Sequence, residues 1–375
     1  MARILVLWNQ VDDDVYEHYR REDRRSVEWD PTLKVEPWES VADEMHQIVH
    51  ALQGGGHEAT LVNIRDDVRE IVAAIERTRP DLVMNLVEFY RDDPEHEHHV
   101  PAIFELLGVV YTGNRPVALS LCQKKPQAKA LLASHGIPVP AGIVVESTAP
   151  IELGALRFPL IVKPAFDDAS NGIDTGSVVH DRAALTARVA RLLGEKRGAV
   201  LVEEYIEGRE IHCAILGDEV LPLYEMRFKG AVGDDGQPLP RIITYRAKWD
   251  PYSREHHAVE GQCPVDDLES ALVERIQAIA LRAYRALGCR DYARVDMRVD
   301  PVTGDIFVLE VNPNPDLADS CAFAASASAA GRTYPQLICE LVAIALERSK
   351  SPKIALAGFD QLLREYQATK KREAR

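Results

Sequence analysis

The sequence predicts an α/β protein of two or three packed domains, opened by a Rossmann-type three-layer unit. Three observations predict it. A chain of 375 residues is too long for one small core. Its first ~115 residues alternate short apolar strands with helices, the pattern of βαβ units. Beyond them a new strand set and a hairpin at Tyr292–Val311 give the chain α+β character.

Each element follows from its local pattern. Arg3–Trp8 is a continuous apolar run, as in a buried parallel strand. A helix from Ser40 to Gln53 stops at Gly54-Gly55-Gly56. Strands at Ala59–Asn63 and Leu82–Leu86 flank a helix at Val68–Thr78. No G-x-G-x-x-G follows the first strand, which argues against dinucleotide binding. A helix at Pro126–Ser134 leads through Gly136–Pro140 to strands at Phe158–Lys163 and Ala199–Tyr205, with a helix at Arg182–Leu193 between them. Ile211–Leu216 and Ile242–Arg246 are expected as further strands, and Val265–Leu287 as a long amphipathic helix. After the hairpin comes a helix from Pro335 to Ser349, then a charged tail at Asp360–Arg375, expected as a surface helix or a frayed end.

Composition excludes several partners. The formal charge is 44 − 59 = −15, and an acidic surface repels phosphate backbones and anionic lipid. Neither nucleic acid nor a membrane is expected as a partner. No run approaches the 18 apolar residues of a membrane span. The N-terminus is apolar only briefly before Asp12-Asp13-Asp14, unlike a signal peptide. The six cysteines are widely scattered without a C-x-x-C pair, against a zinc site or a disulfide scaffold. A cytoplasmic location is the expectation.

The hairpin carries the chemistry. Ala293, Val295, Met297 and Val299 face one side of its first strand; Arg294, Asp296 and Arg298 face the other. Asp300–Asp305 is a turn signal. Ile306, Val308, Glu310 and Asn312 are expected on one face of the return strand. With the turn centred on Thr303, Asp296 falls opposite Glu310 and Arg294 opposite Asn312. Directly opposed like charges destabilise a sheet. Two carboxylates and an amide converging there make sense around a hard cation such as magnesium, completed by waters and phosphates. Arg294 stands beside them, placed to neutralise developing negative charge. The pattern also fits the solvated face of a surface hairpin.

Two upstream segments are weaker signals. Phe158–Pro164 is a strand ending in Lys163, followed by Ala165–Ile173 with Ser170, Asn171 and Gly172. Small residues there let backbone N–H groups approach an anion, although an ordinary loop fits as well. Val200–Glu210 is a strand running into a polar linker, which by itself fits a hydrated strand end.

Together, V-K-P-A, E-E-Y-I-E-G-R-E, R-A-K, R-V-D and L-E-V-N-P-N-P resemble the ATP-grasp superfamily, specifically its D-alanine–D-alanine ligase-like branch, over Val109 to Val342. The resemblance implies an ATP-grasp fold with a Rossmann-like first domain. The implied division is residues 1–120, a central subdomain at 121–210, a C-terminal subdomain at 211–350, and the tail 351–375. It implies a ligase that joins a small amino-acid-like carboxylate to an amine, using ATP and two Mg2+ ions, for which Mn2+ could substitute, in a possible homodimer. Lys125 and Lys163 would bind the phosphates, Glu203 and Ile206 the adenine, and Glu210 the ribose. Lys248 would reach the terminal phosphate. Asp296, Glu310 and Asn312 would hold the metal. Arg294 would stabilise an acyl phosphate and a tetrahedral intermediate. The loop Phe166–Gly172 would close over the phosphates. In the implied mechanism a carboxylate attacks the γ-phosphorus, and an amine then displaces phosphate from the acyl carbon.

The sequence departs from that family in the amino-acid pocket. In place of H-G-x-x-G-E-D-G it has Asn85 to His99, with Glu88 in the substrate region. Trp8-Asn9-Gln10 replaces the early glycine-rich loop. Asn314-Pro315-Asp316 replaces S-P-G, and Cys321 replaces a serine. Asp316 would repel a carboxylate or welcome a cation, so substrates other than two D-alanines are expected. His96, His98 and His99 follow Asp92-Asp93-Pro94-Glu95, which reads as a helix start lining the cleft rather than a zinc site. His256-His257 is expected in a surface flap. Two alternatives stay open: addition of residues to a larger peptide or protein acceptor, and a nucleotide-binding regulatory protein without turnover.

Overall fold

Ile4, Leu5, Val6 and Leu7 are all buried, so the first strand has no solvent face and needs cover on both sides. In the computed structural model, which describes residues 1–12, 26–35, 39–167, 169–195 and 198–350, this strand is β1 (Arg3–Trp8). A short hairpin of β2 (Ser26–Val27) and β3 (Asp30–Lys34) precedes α1 (Val41–Gly54), β4 (Glu58–Asn63), α2 (Val68–Thr78) and β5 (Leu82–Leu86). The parallel sheet has the order β4-β1-β5. A reciprocal capping box starts α1: the Asp43 N–H donates to Ser40 Oγ, and the Ser40 N–H to the Asp43 carboxylate, both at 3.0 Å.

The Asp93 carboxylate accepts from the Glu95 N–H at 2.8 Å, and Pro94 opens a 3-10 turn at Pro94–His96. That turn feeds α3 (His99–Leu107), followed by α4 (Pro116–Gln123) and α5 (Lys125–Ser134). The helix start read from Asp93-Pro94 is therefore present.

An antiparallel sheet comes next, of β6 (Gly142–Val145), β7 (Leu160–Pro164), β8 (Val178–Val179) and, after α6 (Arg182–Gly194), β9 (Val200–Glu204), in the order β6-β9-β7-β8. Leu160, Val162, Val200 and Val202 pack on Leu185, Val189 and Leu192 of α6. Strand alternation then forces Lys163 and Glu203 onto the opposite face.

The larger sheet contains β10 (Arg209–Leu216), β11 (Glu219–Val220) and β12 (Tyr224–Phe228). After α7 (Tyr245–Trp249) and α8 (Arg254–His257) come β13 (Val259–Gln262), α9 (Ser270–Ala286), β14 (Tyr292–Val299) and β15 (Ile306–Asn312). Its order is β13-β12-β10-β14-β15, with β11 beside β10. Ile211, Cys213, Val295 and Met297 pack on Ile276, Ala280 and Ala283 of α9 and on Ala128 and Leu132 of α5. Finally α10 (Ala322–Ala329) and α11 (Tyr334–Lys350) return to the first unit, where Leu337, Ile338 and Leu341 share a core with Ile4, Val6 and Leu52.

Two expected elements are corrected. Ile242–Arg246 is not a strand: the Ile242 N–H turns back to the Pro240 carbonyl at 2.9 Å, and Thr244 caps α7 by accepting from the Ala247 N–H at 3.0 Å. β-Branched residues raised the strand signal, but the segment has no ladder partner. The helix expected from Val265 begins only at Ser270. Val265 and Leu268 do pack on the core, but as loop residues, and Asp267 is taken by Arg209 at 2.6 Å and Arg227 at 3.2 Å. The tail at Asp360–Arg375 lies outside the described residues. Among the described residues no helix is long and apolar enough to cross a membrane.

Candidate active site

The hairpin delivers the expected pair. Asp296 lies opposite Glu310 and Arg294 opposite Asn312. The register then shifts: Met297 pairs with Val308, Arg298 with Phe307, and Val299 with Ile306. Leu309 is thus an extra, bulged residue. A one-residue slip transfers a strand's side chains to the other face. Ile306 and Val308 accordingly sit in the apolar core with Val311. This corrects the expectation that they share a face with Glu310 and Asn312.

Each carboxylate faces a cation. Arg294 donates two bonds to Asp296, Nε to Oδ1 at 2.7 Å and Nη2 to Oδ2 at 2.8 Å. The bidentate grip overrides the effect of burial and holds the guanidinium above its ordinary value. Lys125 Nζ stands 3.4 Å from Glu310 Oε2. Burial would raise the Glu310 carboxyl, but Lys125, Lys163 and Arg294 together hold it down to about 2.

The facing sheet adds a second cluster. Glu203, 1% exposed, is gripped on one oxygen by Lys129 and on the other by Lys163 at 3.1 Å. Burial raises its carboxyl, and the two lysines more than reverse that. Lys129 is itself buried, and desolvation with the nearby Lys163 charge brings it down to about 8 despite Glu203. Sequence reasoning missed Lys129; its signal was the i,i+4 spacing from Lys125, which puts both lysines on one face of α5. It also missed Arg298, which donates to Glu210 Oε2 at 2.8 Å, to the Gly208 carbonyl at 2.9 Å and to the Arg241 carbonyl. Its guanidinium lies 5.8 Å from the Tyr205 ring and 5.3 Å from that of Phe228. A Cβ on Gly208 would sit 2.2 Å from the Val299 carbonyl oxygen, so only glycine lets this linker pass.

The segment after β7 is strained in the way functional loops often are. Ala169 and Ser170 have φ of 53° and 60°, the left-handed region that side chains avoid. Three partners tie it down. Lys125 Nζ donates to the Asp167 carbonyl at 2.6 Å, Arg188 Nη2 to the Gly172 carbonyl at 2.7 Å, and Trp249 Nε1 to the Ala169 carbonyl at 3.0 Å.

Lys125, Lys163, Ser170, Asn171, Glu203, Ile206 and Glu210 line a single cleft with Asp296 and Glu310. Arg294, Asn312, Gly172 and Lys248 stand outside that lining. Arg294 and Asn312 continue the same sheet face one pair further. Lys248 Nζ lies 4.8 Å from the Trp249 ring centre, on the helix that holds the Ala169 loop. Glu210 is buried against Arg298 and 3.3 Å from His212.

The remaining expected residues form a separate group past the hairpin. Asn314 accepts from the Tyr292 hydroxyl at 3.1 Å and donates to Glu97 Oε1 at 2.9 Å. Burial first, then the charges of Asp291, Glu88 and Glu97, push the Tyr292 hydroxyl up. Asp316 is exposed. Its carbonyl accepts from the Cys321 thiol at 2.9 Å, and burial with Asp316 pushes that thiol up to about 12. The His99 ring makes tilted contacts with those of His96 and His98, at 5.3 and 4.0 Å between centres.

The donors fit magnesium better than zinc. Among the described residues no three His, Cys, Asp or Glu side chains form a metal cage. Two opposed carboxylates and an amide are all-oxygen ligands of the kind a magnesium ion shares with water and phosphate.

Comparisons with known proteins agree with this architecture. A family model described as "D-ala D-ala ligase C-terminus" matches residues 131–343. A Sinorhizobium fredii protein described as "Uncharacterized protein y4sG" is 35% identical over 84% of this chain and 90% of its own length. A D-alanine–D-alanine ligase of Desulforudis audaxviator is 32% identical over 80% of this chain and 91% of its own. The crystal structure of the Bacillus anthracis D-alanine–D-alanine ligase complexed with ATP superposes with a TM-score of 0.68, at 23% identity, over 93% of this chain and 99% of that one. The ATP-grasp fold expected from the sequence is the fold found.

Proposed function

The chain belongs to the D-alanine–D-alanine ligase family, and from that premise we propose that it is an ATP- and Mg2+-dependent ligase that forms an amide bond through an acyl phosphate. One observation carries the reading: Asp296 and Glu310 oppose each other across the ladder, in one cleft with Lys125 and Lys163. Magnesium bound with ATP supplies charge neutralisation at the transferring phosphoryl group. Asp296, Glu310 and Asn312 would hold it, as two ions, with Mn2+ a possible substitute.

The chain's own residues do the rest. Lys125 and Lys163 bind and orient the phosphates, and the strained loop excludes water from them. Glu203 and Ile206 border the base and Glu210 the ribose. Arg294 lies beside Asp296 where negative charge develops on the acyl phosphate and on the tetrahedral species that follows. Lys248 approaches the terminal phosphate from α7. The two subdomains that form the cleft correspond to residues 121–210 and 211–350, behind a first domain at 1–120.

The substrates we propose differ from two D-alanines. Glu97 bonds Asn314, the Glu88 charge acts on the Tyr292 hydroxyl beside it, and the exposed Asp316 follows two residues on, acidic surroundings that favour an amino-acid-like substrate bearing a cation. A homodimer is part of the same proposal. The test is a phosphate-release screen over pairs of amino acids, with mass spectrometry of products. Activity that requires an added amino acid and yields a mass equal to the pair minus water supports the reading. ATP turnover with no amino-acid dependence would overturn it.

A further inference from the structure

We infer that Trp29 is a positioning residue for phosphoryl transfer: from the tip of the β2–β3 hairpin it clamps the helical segment that carries Lys248 against the phosphate loop. The inference rests on the proposed ligase reading, within which nothing assigns this hairpin a role.

Val27 pairs with Asp30, so Glu28 and Trp29 are the two central residues of the turn. An indole is an unusual choice there, where glycine, asparagine and aspartate prevail. It is engaged on three sides. Nε1 donates to the Tyr252 carbonyl at 2.8 Å. The Arg254 guanidinium stacks 4.6 Å from the ring centre, and the His257 ring meets it edge-on at 5.5 Å. All three contacts fall on the segment between α7 and the end of α8, 223 residues away for the hydrogen bond.

That segment is internally stiff. Ser253 Oγ donates to the Arg246 carbonyl at 3.0 Å, His256 Nδ1 lies 3.0 Å from the Ala247 carbonyl, and His257 Nε2 lies 2.9 Å from the Pro251 carbonyl. A constraint applied at Tyr252 and Arg254 therefore reaches α7. At its other end the segment grips the phosphate loop: Trp249 Nε1 donates to the Ala169 carbonyl at 3.0 Å, and the Tyr245 N–H to the Ile173 carbonyl at 2.9 Å. Lys248 sits between these grips. Two tryptophans thus hold one segment from two directions, and Trp29 brings in the first domain.

The test uses the full chain with Trp29→Ala and Trp29→Phe, comparing steady-state kinetics with equilibrium ATP binding and amide exchange. Trp29→Ala is expected to lower kcat about ten- to a hundredfold, the scale of a small misplacement of a catalytic group. ATP affinity should stay within about twofold, since the cleft lining is untouched. Amides of 245–257 should exchange faster. Trp29→Phe keeps the ring for Arg254 and His257 and loses only the bond to Tyr252, so it should recover part of kcat. An unchanged kcat in Trp29→Ala would overturn the inference, as would a parallel loss of ATP binding. Should Trp29→Ala fail to fold, Arg254→Ala strips the same stack from the other side and must show the same split. A wild type that binds no ATP would sink the ligase reading itself, a result distinct from any of these.

Discussion

The proposed nucleotide cleft and the proposed amino-acid region past the hairpin, the two halves of the site, are built differently. In the nucleotide half the charges are interlocked and mostly buried: Lys129 and Lys163 on Glu203, Arg298 on Glu210, Lys125 on the half-buried Glu310, Arg294 on Asp296. In the amino-acid half acidic groups border an asparagine and a tyrosine, and Asp316 faces solvent. Buried interlocked charges tolerate little change, because removing one partner strands the other. Exposed acidic groups can change at little cost to the fold, and substrate choice is free to drift there.

The contrast breaks most sharply at the metal carboxylates. Asp296→Asn and Glu310→Gln are each expected to lower amino-acid-dependent phosphate release by about a thousandfold or more, as loss of a preorganised electrostatic group does. Near-normal turnover in both would remove the metal assignment. One step down, Lys129→Met should raise the KM for ATP by about tenfold by loosening Glu203 and Lys163, with kcat less affected. An unchanged KM would show that Lys129 serves only the core.

On the amino-acid side, Asp316→Asn should shift preference away from cationic substrates by about fivefold, roughly the worth of one partly screened charge. ATP affinity should stay the same; competition between charged and neutral amino acids reads this directly. The smallest effect is on acid stability. The Glu310 carboxyl moves from an ordinary 4.5 to about 2 in the fold. Its ionised form therefore adds stability that is fully present above 4.5 and fades only as pH falls toward 2. Acid unfolding of Glu310→Gln should differ from the wild type by a constant amount above 4.5, and the gap should close near 2.

Much of this was legible along the chain. Alternation at Tyr292–Val299 marked the site face, and the opposed pair followed from the turn. Arg298 was placed on the correct face, but its role was not, because Tyr205, Phe228 and Arg241 reach it only through tertiary packing. Lys129 was passed over because nothing local shows that α5 carries it against Glu203 of β9. The run at Ile242 misled because β-branched residues favour strands only where a neighbour offers a ladder. The Trp29 contacts join segments too distant for any periodicity to link.

The bulge at Leu309 has a consequence for how this site can evolve. Strict alternation from Val308 would carry Glu310 to the core face, and the bulge at Leu309 returns it to the cleft opposite Asp296. Leu309 itself shares the cleft lining with Glu310. Deleting Leu309 would leave a plain hairpin in which Glu310 directly follows core-facing Val308 and still stands opposite Asp296. Relatives of this chain can therefore lose the bulged residue and keep the opposed carboxylates, whereas one more residue between Val308 and Glu310 would demand a second irregularity in the ladder.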